Sequence, residues 1–122
     1  MRVKDALGRY GEDLAAQYLS DAGLVIVARN WRCSAGELDI VATDGPALVF
    51  CEVKTRSSAA YGLPAEAVTT VKAARIRRVA TQWLVDNRSA SSQYWPELRF
   101  DVVSVLRRHG SPPLVEHLPA AF

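Results

Sequence analysis

Glu37, Asp39, Glu52 and Lys54 fall within one stretch, GELDIVATDGPALVFCEVKTR, that runs from Gly36 to Arg56. Two apolar runs flank a turn there, and charge interrupts each run where a strand should bury itself. Side chains alternate between the faces of a strand. Glu37, Asp39 and Val41 therefore share one face of the first run, opposite Leu38, Ile40 and Ala42. Leu48, Phe50, Glu52, Lys54 and Arg56 share one face of the second, opposite Val49, Cys51 and Val53. A symmetric loop from Asp44 to Ala47 would pair Thr43 with Leu48, and counting back sets Asp39 across from Glu52 and Glu37 across from Lys54. A slip of one residue would send the two carboxylates to opposite faces.

Directly opposed side chains have Cβ atoms about 4.5–5.5 Å apart. Two ionised carboxylates at about 4 Å repel by roughly 4 kcal/mol at an effective dielectric of about 20, so the pair needs a proton or a cation. A salt-bridge cluster of Asp39, Glu52 and Lys54 is one solution, although apolar side chains often hold a sheet together as well as buried ions do. A hard-cation site is the other. Mg²⁺ takes oxygen ligands and keeps several of its waters, and Asp39, Glu52 and the main-chain carbonyl of Val53 suit Mg²⁺ or Mn²⁺. Lys54, one step beyond Glu52 on the same face, is placed to orient or help deprotonate water. This set fits hydrolysis of a phosphodiester, where charge must be neutralised and water activated. The sequence holds no Gly-rich phosphate loop, nucleophile elbow or Cys/His pairing that would favour another chemistry.

Helical spacing of Leu7, Leu14, Tyr18 and Leu19 predicts a helix from about Asp5 to Ala22, closed by Gly23. Glu12, Ala15, Ala16 and Leu19 form a second stripe that turns Glu12 partly inward, where it is either a helix-terminal acid near the dipole or part of a site. LVIVARNW predicts a strand over Leu24–Trp31, followed by the turn RCSAG and then the hairpin with DGP at its tip. SSAAYGLP (Ser57–Pro64) has loop composition. A long helix is expected from about Thr70 to Asn87, with Ile76, Val79, Ala80, Trp83 and Leu84 as its buried stripe and Arg75, Arg78 and Gln82 on one flank. The polar stretch NRSASSQYWPE precedes a strand over Arg99–Leu106, and Leu114–Leu118 has the pattern of a short edge strand. The fold class is α/β: one domain over residues 1–122, a mixed sheet flanked by two helices.

With 122 residues, 49% of them hydrophobic and 23% charged, the chain suits one globular domain. The net charge of +2 says little about partners. Of its 15 basic residues only Lys4, Lys54 and Lys72 are lysines. The arginine bias suits phosphate recognition, and a GC-rich genome would produce the same bias. Cys33 and Cys51 match no metal-ligand spacing and are too few for a disulfide framework. His109 and His117 stand alone. No apolar run has signal-peptide or membrane-spanning length, so a cytoplasmic protein with no membrane partner is expected.

Asp39, twelve intervening residues, then Glu52-Val53-Lys54 resembles the D…(D/E)-x-K core of the restriction-endonuclease-like superfamily, with Leu38 in place of the proline that often precedes the first acid. The layout is similar to its Holliday-junction-resolvase branch, in which an N-terminal helix adds a glutamate that Glu12 matches here. GRYGEDLAAQYL, NWRCSAGELDIVATDG, LVFCEVKTR, the helix around Lys72–Leu84, RFDVVSV and the closing HLPAAF together resemble the YraN family of small bacterial proteins across nearly the whole chain. The resemblance implies a restriction-endonuclease-like fold and a Mg²⁺- or Mn²⁺-dependent, nuclease-like protein acting on DNA, branched DNA included. It also brings Glu12 into the catalytic set with Asp39, Glu52 and Lys54. Arg56, Arg75 and Arg78 become candidates for phosphate contacts, with solvated surface charge as the alternative, and Glu37, Lys72 and Gln82 remain unassigned. A non-catalytic or partner-dependent nucleic-acid-binding module on the same fold is the competing expectation. A homodimer is expected if two strands are cut symmetrically.

Overall fold

A computed structural model describes residues 5–57, 68–91 and 95–122, with the backbone alone at 88–91. The elements follow as α1 (Ala6–Asp21), β1 (Val25–Cys33), β2 (Gly36–Asp44), β3 (Ala47–Arg56), α2 (Thr70–Ser91), β4 (Glu97–Leu106) and β5 (Leu114–Leu118). The strands lie in one sheet in that same order, parallel between β3 and β4 and antiparallel elsewhere. Parallel neighbours need a long crossover, and α2 lies within this one. The architecture is thus the expected mixed α/β sheet with two helices. Helix α2 continues four residues past the expected end at Asn87. Of the expected loop Ser57–Pro64, all but Ser57 lies outside the described residues, as do 92–94 of the polar stretch before β4.

Each boundary has a local cause. Asp5 caps α1 by accepting the Gly8 N–H at 2.7 Å. At the other end Gly23 takes φ +100°, its N–H bonds the Ser20 carbonyl at 3.0 Å, and Leu24 N–H bonds the Leu19 carbonyl at 3.0 Å. That is the Schellman closure, and both leucines enter the core beside it. The β2–β3 loop is tighter than the symmetric four-residue closure. Asp44 still pairs with Ala47, leaving Gly45-Pro46 as the turn, with Gly45 at φ +57°. The inferred pairing of Thr43 with Leu48 holds in the observed register.

One helix covers each face of the sheet. Ala15, Ala16 and Leu19 of α1 pack on Ile40, Ala42, Val49, Cys51, Val103 and Val105. Ile76, Val79, Ala80 and Trp83 of α2 pack on Leu38, Val41, Leu48 and Phe50, with Phe100 and Phe122 against them. The inward stripe of α1 is therefore the one headed by Glu12, whereas Tyr18 is 41% exposed. Strict alternation fails on both β1 and β2: the β1–β2 register shifts between Ile26 and Ala28, which join opposite sides of the sheet. Leu38 joins the α2 side while Ile40 joins the α1 side. On the paired strand Asn30 has φ +52°, and a kink there lets Arg29 and Asn30 both reach Glu12 on α1.

Close approach fixes α1 against β3. A Cβ placed on Gly11 would come within 2.7 Å of the Thr55 Cβ and closer still to its Oγ1. Gly11→Ala should therefore lower stability by about 1–3 kcal/mol despite the better helix propensity of alanine, as read by the urea midpoint.

On the far edge Asp101 is fully buried and accepts from Arg99 Nε and Nη2 at 2.9 Å and from the Ala120 N–H at 2.9 Å, with His117 Nε2 at 2.8 Å. Arg99 also reaches Asp44 at 2.9 Å, tying the start of β4 to the end of β2. Burial alone would raise the Asp101 carboxyl, but the hydrogen bonds from His117, Arg99 and Ala120 outweigh it and hold the group below its ordinary value. An unfolded-chain aspartate takes up its proton near pH ~4, above the folded group. The stabilisation is thus intact above about pH 4 and is lost as pH falls through the folded value. Asp101→Asn should cost about 2–4 kcal/mol near neutrality. Its urea midpoint should also fall less than that of the wild type between about pH 5 and pH 3.

Candidate active site

The β2–β3 ladder runs from Asp44↔Ala47 to Ile40↔Cys51. Past that point Val53 N–H bonds a side chain, the Asp39 Oδ2, at 2.8 Å. In an antiparallel strand the N–H and C=O of a residue point to the same neighbour, so the Val53 carbonyl also faces β2, beside Asp39 and past the last ladder pair. The inferred register is therefore correct up to the two acids, and there the acid itself takes over from the ladder.

A cleft of about 1010 Å³ opens at this end of the sheet. Its walls are the end of β1 with Arg32 and Cys33, the start of β2 with Gly36, Glu37 and Asp39, and Glu52–Thr55 of β3. The N-terminal turns of both helices close it, through Asp5, Leu7 and Gly8 of the α1 end and Lys72, Arg75 and Ile76 of α2. Gly36 makes the approach of α2 possible. It sits at φ +145°, and an added Cβ would meet Val79 Cγ2 at 3.3 Å and Arg75 Cδ at 3.6 Å. Among the described residues the lining holds four carboxylates, Asp5, Glu37, Asp39 and Glu52, and four cations, Arg32, Lys54, Lys72 and Arg75. Charges balanced in this way need an added cation before they attract an anion strongly.

Asp39 is 5% exposed, and Glu52, Val53 and Lys54 are half-buried. Glu52 Oε1 lies 2.9 Å from Lys72 Nζ, so the partner of Glu52 comes from α2 and not from Lys54. Glu37 pairs with Arg32 Nε at 3.3 Å. Lys54 forms no ion pair among the described residues. Glu12 is 1% exposed and its Oε1 accepts from Asn30 Nδ2 at 2.7 Å and Arg29 Nε at 3.2 Å. It does not line the cleft. Of the three arginines named for phosphate, Arg75 lines the cleft, whereas Arg78 is exposed outside the lining and Arg56 ends β3 outside it. Gln82 bonds Asp86 at 2.8 Å on the open face of α2.

Cys51 lies in the core on the α1 side of the sheet, 3% exposed, and burial followed by the nearby Asp101, Asp39 and Glu52 charges pushes its thiol well up. It is inert as a nucleophile. Among the described residues no group of three or more His, Cys, Asp or Glu forms a cage for a metal. Two carboxylates and a carbonyl still suit Mg²⁺ or Mn²⁺, which are bound through one or two carboxylates with waters completing the shell. An all-oxygen set excludes the softer thiophilic metals.

The family model described as Uncharacterised protein family UPF0102 matches residues 11–105, a span that includes every acid and base of the cleft except Asp5. A UPF0102 protein of Frankia casuarinae is 57% identical over 122 residues, covering 100% of both chains. Another from Nocardia farcinica is 53% identical over 119 residues, 98% of this chain and 91% of its own. One from Beutenbergia cavernae is 54% identical over 118 residues, 97% of each chain.

The Asp39–Val53 bond gives the carboxylate a structural role that can be separated from its charge. Asp39→Asn keeps an acceptor for the Val53 N–H and should cost little stability. Asp39→Ala leaves that N–H without its partner and should cost about 1–3 kcal/mol. Urea melts of the two variants without added metal measure the difference.

Proposed function

The chain belongs to the UPF0102 family, and we propose that it is a nuclease-like, nucleic-acid-binding protein that hydrolyses DNA phosphodiesters with Mg²⁺ or Mn²⁺. The observation that carries this reading is the meeting of Asp39, Glu52 and Lys54 in one cleft, with Lys72 and Arg75 of α2 as its opposite wall. The mixed sheet, with D…E-x-K on neighbouring strands under a helix on each face, supports a restriction-endonuclease-like fold and a likeness to junction resolvases.

Asp39, Glu52 and the Val53 carbonyl would hold the cation, which when bound supplies a Lewis acid that neutralises phosphate charge and acidifies water. Lys54 carries an ammonium on a flexible stem and is half-buried, so its charge is screened less than that of a surface lysine. Its work is to orient the attacking water and to stabilise charge developing on the phosphoryl oxygens. Arg75 offers the planar fork that grips a phosphate and fixes the scissile bond over the carboxylates. Symmetric cutting of two strands would require two copies of the chain.

The second reading is a binding module that does not cut by itself. The Glu52–Lys72 ion pair favours it, because a carboxylate held by a lysine is less available to a cation. The net charge of +2 also gives modest affinity for DNA, which grows with the phosphates neutralised.

Cleavage of junction, flap and duplex DNA in Mn²⁺ distinguishes the two readings. Lys54→Met should keep metal and DNA binding while cleavage falls by about 10²–10³-fold, as on removal of one preorganised electrostatic donor. Arg75→Ala should weaken binding across sequences and reduce the salt slope by about one, whereas Arg78→Ala, outside the cleft, should change binding less. DNA binding without cleavage in the wild type would replace hydrolysis with the binding module. Neither binding nor cleavage at low salt would end both readings.

A further inference from the structure

The mechanism leaves Lys72 of the cleft without a task. Lys72 stands in the first turn of α2, its N–H bonded by the Thr69 Oγ1 at 3.2 Å in the manner of an N-cap. That is the wrong end of a helix for a cation, since the N-terminus already carries the positive half of the macrodipole. No acidic residue occupies the first turn to offset it. The compensation comes from the sheet, where Glu52 Oε1 lies 2.9 Å from the Lys72 ammonium. The ammonium end also keeps access to solvent, with the side chain 33% exposed against 12% for Glu52. Glu52 is one of the two carboxylates that the proposed cation would need. A divalent ion and an ammonium cannot both sit on that carboxylate without repelling each other.

We propose that Lys72 is a built-in counter-ion of the cleft: its ammonium holds Glu52 in the cation-free protein and passes to the phosphodiester once a divalent cation takes that carboxylate. This rests on the reading of the cleft as a cation-dependent phosphodiester site. The four-carbon stem of lysine, anchored on a rigid helix turn, lets the charge swing while the backbone stays in place. Glu52 is neutralised by one cation or the other at every stage. The cleft then gains net positive charge only when the metal binds, so affinity for a phosphodiester and readiness to cut it arise together. Lys72 is in this sense a positioning and gating residue, distinct from Lys54.

The experiment is calorimetric titration of Mn²⁺ into the full-length chain, as wild type, Lys72→Met and Lys72→Arg. It is paired with DNA binding in Mn²⁺ for the same Lys72 variants in a Lys54→Met background, so that DNA is bound but not cut. Lys72→Met should bind Mn²⁺ about tenfold more tightly than the wild type, and Lys72→Arg, which keeps the charge, should not. With Mn²⁺ present, Lys72→Met should bind a short duplex about tenfold more weakly, with a salt slope lower by about one. Equal or weaker Mn²⁺ affinity in Lys72→Met overturns the counter-ion inference and leaves the proposed function standing. Tighter Mn²⁺ binding with unchanged DNA binding overturns the transfer to phosphate. If neither the wild type nor Lys72→Met binds Mn²⁺, the cation-dependent site and this inference fall together.

Discussion

The hydrogen bond from the Val53 N–H to Asp39 Oδ2, 2.8 Å long, decides where the β2–β3 hairpin stops being a continuous sheet. Above it the two strands exchange backbone bonds pair by pair down to Ile40 and Cys51. Below it a carboxylate stands in for a carbonyl, and a carboxylate is longer and brings charge. The edges of β2 and β3 can then carry Glu37, Glu52 and Lys54 without forcing their backbones into register. The cleft is the space this substitution leaves, roofed by the first turns of two helices. A buried N–H needs an acceptor, and giving that duty to an acidic side chain fixes the orientation of the same acid.

The rest of the charge arrangement follows from each acid taking a different neighbour. Glu12 goes to Arg29 and Asn30 of β1, Glu37 to Arg32 of β1, and Glu52 to Lys72 of α2. Because these partners come from separate elements, the ion pairs also tie β1 and α2 to the central hairpin. Lys54 is left out of these pairs. The opposite edge of the sheet uses the same device for stability alone, with Asp101 joined to Arg99, His117 and the Ala120 N–H. Charge thus has two uses in one small protein. It is buried and bonded at the β4–β5 edge, and paired along the walls of an open cleft at the other end.

Much of this was legible in the sequence because period-two and period-3.6 patterns are local. The element order, the α2 stripe, the α1 stripe headed by Glu12 and the Thr43–Leu48 register all follow from spacing. Two of the failures share one physical source, side chains that bond across elements. The ladder was expected to continue to Asp39 and Glu52, but no pattern announces that Asp39 will bond the backbone of β3. Spacing makes Lys54 the natural partner for its strand neighbours, yet the lysine that reaches Glu52 lies twenty positions beyond that glutamate, in a helix whose crossing over the sheet spacing does not specify. One signal was available: Lys72 is one of three lysines in the chain and sits at a helix start with no acid beside it. Alternation also misplaced Leu38, because a left-handed residue such as Asn30 on the neighbouring strand is invisible to periodicity.

Of the two free cysteines only Cys33 lines this cleft among the described residues. Cys51 is sealed in the core with its thiol pushed up by burial, whereas Cys33 stands half-exposed in the wall of the cleft. Thiol reagents act on accessible thiolate, so an alkylating dye discriminates between them with no engineering of the chain. The fluorophore is then carried on the rim itself, between the end of β1 and the start of β2. Its emission would report whatever enters or leaves the space beside Asp39, and the native sequence thereby provides its own spectroscopic handle on cleft occupancy.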